Sequence, residues 1–382
     1  MTKLFIEFLK TEKAAGIVLV LCTIFSLTLA NSGLASSYVS FWHITVLGSP
    51  LTFWINDGLM ALFFLLVGLE IEREIYVGEL SQPRNALLPI VAAVGGMTVP
   101  ALIHLSFNAG TNTQAGIAIP MATDIAFALG VLSLLGKRVP VALKVFLTAL
   151  AIVDDLGAVV VIGLFYAKSI SLSNLLVAFI IIGVLAISNR LRFGNLAFYL
   201  AWGALLWFFI HQSGIHSTLT GVILAFLVPF GKGDGTSPSH KLQHGLHYLV
   251  AFLVLPLFAL SNTCLTINGN WFASLLHPNS VGIMLGLFVG KCVGITLFSL
   301  LAVKLNLCSL PIHVSWKQIF AVSILGGIGF TMSFFVTMLA FQDAPLVDDA
   351  KIAVLVASLM SAAIGYVSLH VILKGQSEPS LS

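Results

Sequence analysis

Apolar runs of about 17 to 25 residues recur along the whole chain, separated by short clusters of Gly, Pro, Asn and charged residues. That length matches helices crossing a hydrocarbon core of ~30 Å, whereas a membrane β-barrel shows short segments of alternating polarity. The pattern predicts an all-α polytopic membrane protein of about twelve transmembrane helices, over residues 14–30, 51–72, 86–107, 113–135, 141–166, 173–188, 196–210, 214–229, 243–262, 281–302, 318–341 and 350–373. Two of these spans are interrupted. AIPMATDIAFALG (118–130) carries Pro120, Thr123 and Asp124 in mid-span, and ILGGIGFTMSFF (324–335) carries three glycines followed by Thr331 and Ser333. Such interruptions destabilise a membrane helix unless the freed backbone groups line a cavity or meet partners. The first falls within the third to fifth spans and the second within the tenth to twelfth, which predicts an inverted repeat whose broken fourth and eleventh helices cross. The loop SYVSFWHITVLG (37–48) alternates β-branched and aromatic residues with smaller ones, predicting a short outer β-hairpin. Its free edge is open to pairing with a second copy, and a homodimer is the expectation.

Composition agrees with the pattern: the chain is 58% hydrophobic and 9% charged, with a mean hydropathy of +1.05, outside the range of soluble globular domains. The lipid bilayer is its solvent. A net charge of +3 offers no basic patch for nucleic acid, and what matters is where the eighteen Lys and Arg fall. With both termini cytoplasmic, fifteen of them, from Lys3 to Lys374, lie on or next to the inner side, and only Lys168 and Lys351 fall outside. Lys291 lies inside a span. The first span, preceded by Lys10 and Lys13, has some features of a signal peptide, but it is long for one and its removal would invert the charge pattern, so it is read as a helix. Cys22, Cys264, Cys292 and Cys308 have neither CxxC spacing nor a paired framework. Nor does any motif ask for a cofactor, since GGIGF lacks both the preceding strand and the lysine of a phosphate loop; close small-residue packing is its other reading. Polar stretches are too short for a soluble domain, so residues 1–382 read as a single membrane domain.

Asp124, Asp154, Asp155 and Lys291 are the ionisable groups deepest in the predicted spans. Each charge at the bilayer centre costs ~2.5 to 3.5 kcal/mol even on lenient insertion scales. A structural ion pair explains two of the four. Three acids with one base favour proton uptake, because desolvation and like-charge repulsion both disfavour the ionised forms. When such carboxylates do ionise, they supply the oxygen ligands that hard cations prefer. Asp154 and Asp155 diverge by about 100° around a helix and need not share one role. One can face the ion while the other faces Lys291.

MATDIAFALGVLSLLGKRVP, ALAIVDDLGAVVVIGLFY, SGIHSTLTGVI, GKCVGI and GGIGFTMS closely resemble the NhaA family of bacterial sodium/proton antiporters, in order and with similar spacing from the first span to the last. That family is itself a type example of the broken-helix architecture, so the two readings are not independent. The resemblance implies one transport domain with repeat units at about 86–166 and 281–373, an inner-membrane location, and exchange of cytoplasmic Na⁺ or Li⁺ for external H⁺, electrogenic and activated at alkaline pH. Carried over by position, Asp155 is the principal ligand and proton carrier, Asp154 a second contributor, and Lys291 the partner that compensates charge. Asp124 and Thr123 belong to the cation and proton site at the fourth-helix break, where the acid offsets helix N-termini.

A second constellation has Glu70, Arg73 and Glu74 at helical i, i+3, i+4 spacing, with His244 and His247 three apart in HKLQHGLH. Read alone it is equally a solvated helix end. The resemblance implies a pH-sensing cluster at the cytoplasmic mouth, formed by Glu70, Arg73, Glu74, Lys241, Gln243, His244 and His247, with His216 also tied to pH response. Gln243 departs from the glutamate of the family pattern, which removes a titratable group. Asp57 matches an acidic supporting position of the second helix, while His104, His211, His277, His313 and His370 are isolated.

Three other classes fit the chain less well. An intramembrane aspartyl protease needs YD and GxGD segments that are missing, and Lys291 would quench its acid pair. Channels favour rings of like residues in an oligomer, which a single-chain repeat does not provide. The stronger alternative is a proton-coupled carrier of another small solute on the same fold. Such a carrier would bring aromatic or Arg groups to its substrate, whereas the buried polar set here consists almost entirely of oxygen ligands.

Overall fold

The structure, a computed structural model, describes residues 3–166, 170–231, 233–267, 271–312 and 314–375. Lys168 and Lys232 of the charge pattern and the isolated His313 lie outside the described residues. Among the described residues nine helices are long and apolar enough to cross a membrane, and a tenth is counted if the pair α12 (Trp316–Leu325) and α13 (Phe330–Ala340), bent by 49°, is taken as one span. The remaining two expected spans are shorter, α8 (Leu196–Gln212) and α9 (Leu219–Leu227).

The chain forms two compact units interleaved in sequence. The first comprises Met1–Leu21, Gln82–Ala158 and Leu265–Ser382. Within it α4 (Pro83–Asn108) packs along α11 (Pro278–Lys304). Their glycines permit this: a Cβ on Gly95 would run into the Gly294 carbonyl and one on Gly294 into that of Gly95, while a Cβ on Gly290 would lie 2.9 Å from Pro100 Cα. In lipid the helices gain nothing from hiding apolar surface, so close backbone approach supplies the packing. A π-helical turn, Gly286–Gly290, immediately precedes Lys291.

Both predicted breaks are present in this unit. The 3₁₀ segment Gln114–Met121 gives way at Ala122–Asp124 to extended chain, and α5 (Ile125–Leu134) then begins with Asp124 as its cap, whose Oδ1 accepts the Phe127 N–H at 2.9 Å. Pro120 removes one donor here, and Asp124 replaces a lost acceptor. On the other side, Gly326–Gly329 separates α12 from α13. The breaks satisfy one another, because the Asp124 N–H donates to the Ile328 carbonyl at 2.7 Å and the Thr331 N–H to Asp124 Oδ2 at 3.1 Å. α14 (Ala344–Lys374) packs against both halves of the second broken helix.

The second unit comprises Cys22–Ser81 and Val159–Cys264. Here α3 (Leu51–Tyr76), with a π-helical turn at Trp54–Leu59, packs on α9 through Gly68 and Gly221; a Cβ on Gly68 would sit 2.6 Å from the Ala225 methyl. α7 (Leu172–Arg190) packs on α8, and α10 (Pro238–Asn262) on α3. A hairpin exists but lies later than expected: β1 (Thr45–Val46) pairs with β2 (Ser49–Pro50), while Ala35–Trp42 is the helix α2. Aromatic packing of Tyr38 and Phe41 on Trp42 overrides the strand-like alternation there. Leu47 and Gly48 form the turn with positive φ, and Leu47 is 87% exposed.

The α4–α11 contact predicts that Gly294→Ala forces the two backbones apart and destabilises the protein by about 1 to 3 kcal/mol, the usual range for overpacking. A thermal-unfolding series in detergent checks this, with Gly183→Ala, whose added methyl meets nothing within 4 Å, as the neutral reference.

Candidate ion-exchange site

The break in each broken helix, α6 (Val141–Phe165) and α11 bring the predicted acids and base together in the first unit. Asp154, Lys291 and Thr123 are fully buried, and Asp155 and Asp124 nearly so. Lys291 Nζ donates to Asp154 Oδ2 as a closed ion pair. The lysine stem runs along Gly96, where a Cβ would lie 3.7 Å from Lys291 Cδ. Met97 occupies the space a Cβ would need at Gly157, holding α6 against α4 one turn beyond the acids.

Thr123 Oγ1 stands 2.8 Å from Asp154 Oδ2 and 2.8 Å from the Gly326 carbonyl. A hydroxyl has one hydrogen, so it serves one acceptor at a time. Asp154 Oδ1 is buried and accepts no hydrogen bond among the described residues. Asp124 is the opposite case, since Phe127 N–H occupies Oδ1 while Thr331 N–H and Oγ1 occupy Oδ2. This acid therefore faces the N-termini of α5 and α13 together, which fits charge compensation at the breaks better than direct ligation. Asp154, whose Oδ1 meets no donor among the described residues, is not saturated in this way.

The second set of residues lies in the other unit and divides into two places. Glu70 Oε1 and His247 Nδ1 are 4.0 Å apart, and Arg73 Nη2 lies 3.2 Å from Glu74 Oε1. On α10, Lys241 and His244 are exposed and Gln243 is half-buried one turn from His247. His216 does not join them. Its Nε2 lies 3.8 Å from Asp57 Oδ1, which also accepts Ser217 Oγ at 2.8 Å, and its Nδ1 meets Thr218 Oγ1 at 2.9 Å. Asp57 thus belongs to a polar knot on the π-helical turn of α3, where Trp207 Nε1 donates to its carbonyl at 3.1 Å.

Sequence reading passed over two partners here. Glu72, buried at 3% exposure, accepts Ser239 Oγ at 3.0 Å and ties α3 to α10. Its position between Glu70 and Arg73 hid it, because the i, i+3, i+4 spacing selects a different face. Thr331, noted only as part of a broken span, supplies two of the donors to Asp124.

A polytopic helical protein with buried carboxylates, a buried carboxylate–ammonium pair and two mutually capped helix breaks belongs to the class of secondary transporters, not to the enzymes. Residues 6–369 match the family described as Na+/H+ antiporter 1. The chain is 54% identical over 373 residues to the Na(+)/H(+) antiporter NhaA of Flavobacterium psychrophilum, covering 98% of this chain and 97% of that protein. It is 50% identical to the NhaA antiporter of Proteus mirabilis, with 98% of each covered, and 48% identical to that of a Sulfurovum species, with 95% and 96% covered. The chain belongs to the NhaA family of Na⁺/H⁺ antiporters.

The buried pair predicts that Lys291→Met, which strands Asp154 without its cation, destabilises the protein by about 3 to 5 kcal/mol at a pH where the acid is ionised. Lowering the pH lets Asp154 take a proton and restores part of that loss. Thermal unfolding of wild type and variant across a pH series checks both.

Proposed function

We propose that exchange of Na⁺ for H⁺ by this antiporter runs through Asp154 and Asp155, which hold either protons or the cation. The observation that carries this is the Asp154–Lys291 pair, closed and fully buried beside a second buried carboxylate and the meeting point of two broken helices. Asp155 is the principal cation ligand and proton carrier. Asp154 alternates between Lys291 and the transported ion, Thr123 hydrogen-bonds it, and Asp124 holds the breaks in register. Competition between protons and a hard cation for the same oxygens yields antiport once the site faces the two sides in turn. Release of more than one proton per cation makes the cycle electrogenic, so the membrane potential drives it. The repeat units at about 86–166 and 281–373 build this transport domain, each with one broken helix.

Orientation follows from the lysine and arginine distribution: both termini cytoplasmic, in the inner membrane of a bacterium, with cytoplasmic Na⁺ or Li⁺ leaving as protons enter. The Glu70–His247 contact, with Arg73, Glu74, Lys241, Gln243 and His244 around it, serves as the pH sensor, and His216 with Asp57 forms a second titratable pair. The free edge of the β1–β2 hairpin and the exposed Leu47 at its tip support a homodimer.

Purified protein in proteoliposomes holding a pH-sensitive dye tests the reading. Na⁺ addition is expected to move protons, increasingly so as pH rises, and Asp155→Asn is expected to abolish the response. Retained exchange in that variant sinks the assignment. In the same assay Gln243→Glu adds a carboxylate one turn from His247, so the pH profile shifts while maximal transport persists. An unchanged profile removes this cluster from pH sensing.

A further inference from the structure

Every helix start leaves amide hydrogens without an intrahelical carbonyl, and within a membrane they need acceptors from elsewhere. At the start of α13 the acceptors come from two other elements. The Gly329 and Phe330 N–H groups both donate to Ser358 Oγ, at 3.2 and 3.1 Å, and the Thr331 N–H donates to Asp124 Oδ2 at 3.1 Å. Ser358 is 2% exposed and sits mid-way along α14. A Cβ on Gly327 would lie 2.6 Å from Ser361 Oγ and one on Gly365 3.3 Å from the Leu325 nitrogen, so α14 lies directly against the break.

A hydroxyl and a carboxylate thus divide the positive end of α13 between them. The division matters to Asp124. Without Ser358 the Gly329 and Phe330 amides lose their acceptor, and Asp124, whose Oδ1 already serves α5 through Phe127, is left to offset the positive end with only its bond from the Thr331 amide. Because Ser358 is neutral, it compensates the helix start without placing another negative charge beside Asp124. Its two hydrogen bonds also fix the residues that follow Gly326, whose carbonyl meets Thr123, the residue that touches Asp154.

Resting on the reading of Asp154 and Asp155 as the exchange site, we propose that Ser358 is a positioning residue for exchange: its hydroxyl holds the start of α13 so that both helix breaks present their groups to the acids. Charged groups facing this turn are Asp124 at the α5 cap, Asp154 and Lys291 through Thr123, and Lys351 of α14, whose Nζ lies 5.8 Å from the Phe334 ring centroid with Asp348 on the same first turns. The 3₁₀ segment Gln114–Met121 and α5 itself contribute none.

The test uses the full chain in proteoliposomes, with wild type, Ser358→Ala, Ser358→Thr and Ser358→Val read for apparent KM for Na⁺ and for the pH of half-maximal exchange. An uncompensated helix start is positive, so it weakens cation binding and favours ionised acids. Ser358→Ala is expected to raise the apparent KM about tenfold, as the loss of a good cap would, and to move the pH profile downward. Ser358→Thr keeps wild-type behaviour while Ser358→Val follows Ser358→Ala. A Ser358→Ala protein with wild-type KM and pH profile overturns the proposal. Where Ser358→Ala does not reach the membrane folded, the Thr and Val variants decide, because they match in volume and differ in the hydroxyl; equal behaviour of the two overturns it. Failure of the underlying site reading is separate, since it appears as exchange persisting in Asp155→Asn.

Discussion

Hydrocarbon offers no hydrogen bonds, so a helix broken inside a membrane must have its freed backbone groups met by protein. The two breaks in this chain meet that requirement chiefly with each other. Asp124 donates its amide to the Ile328 carbonyl and accepts from Thr331 with its side chain, and Thr123 reaches the Gly326 carbonyl. Neither half could be stable in lipid without the other, and α14 completes the arrangement through Ser358. The fold of the first unit is, in this sense, the solution to one hydrogen-bonding problem.

That solution creates the conditions for ion chemistry. Extended chain at the breaks allows polar groups to reach the interior where a continuous helix would present only its side chains. Into this place α6 brings two adjacent acids and α11 brings Lys291. Close glycine contacts between α4 and α11, with the π-helical turn just before Lys291, set how deeply that lysine sits. The closed Asp154–Lys291 pair is stable only while both partners stay charged and matched, which makes it sensitive to any competing proton or cation.

In the second unit the polar residues keep a different company. Glu70 meets His247, Glu72 meets Ser239, and Asp57 gathers Ser217 and His216. These are contacts between residues distant in sequence. The residues assigned by likeness to pH sensing therefore occupy two separate places in this unit.

Sequence alone determined the class of fold, because twenty-residue apolar runs with so few charges admit only membrane helices, and it singled out Asp124, Asp154, Asp155 and Lys291, because charges in such runs are too costly to be incidental. It also located both breaks from their Pro, Gly and Asp content. Tertiary structure decided the rest. Which acid pairs with Lys291, that Asp124 is saturated by donors while Asp154 is not, and that His216 sits with Asp57 all depend on contacts across more than a hundred residues. Ser358 and Glu72 carried no signal of their own: a serine in an apolar helix and one glutamate among several acquire meaning only when packing brings Gly329 and Ser239 to them. Periodicity reports which face of an element is buried, and only the packed chain settles what that face meets.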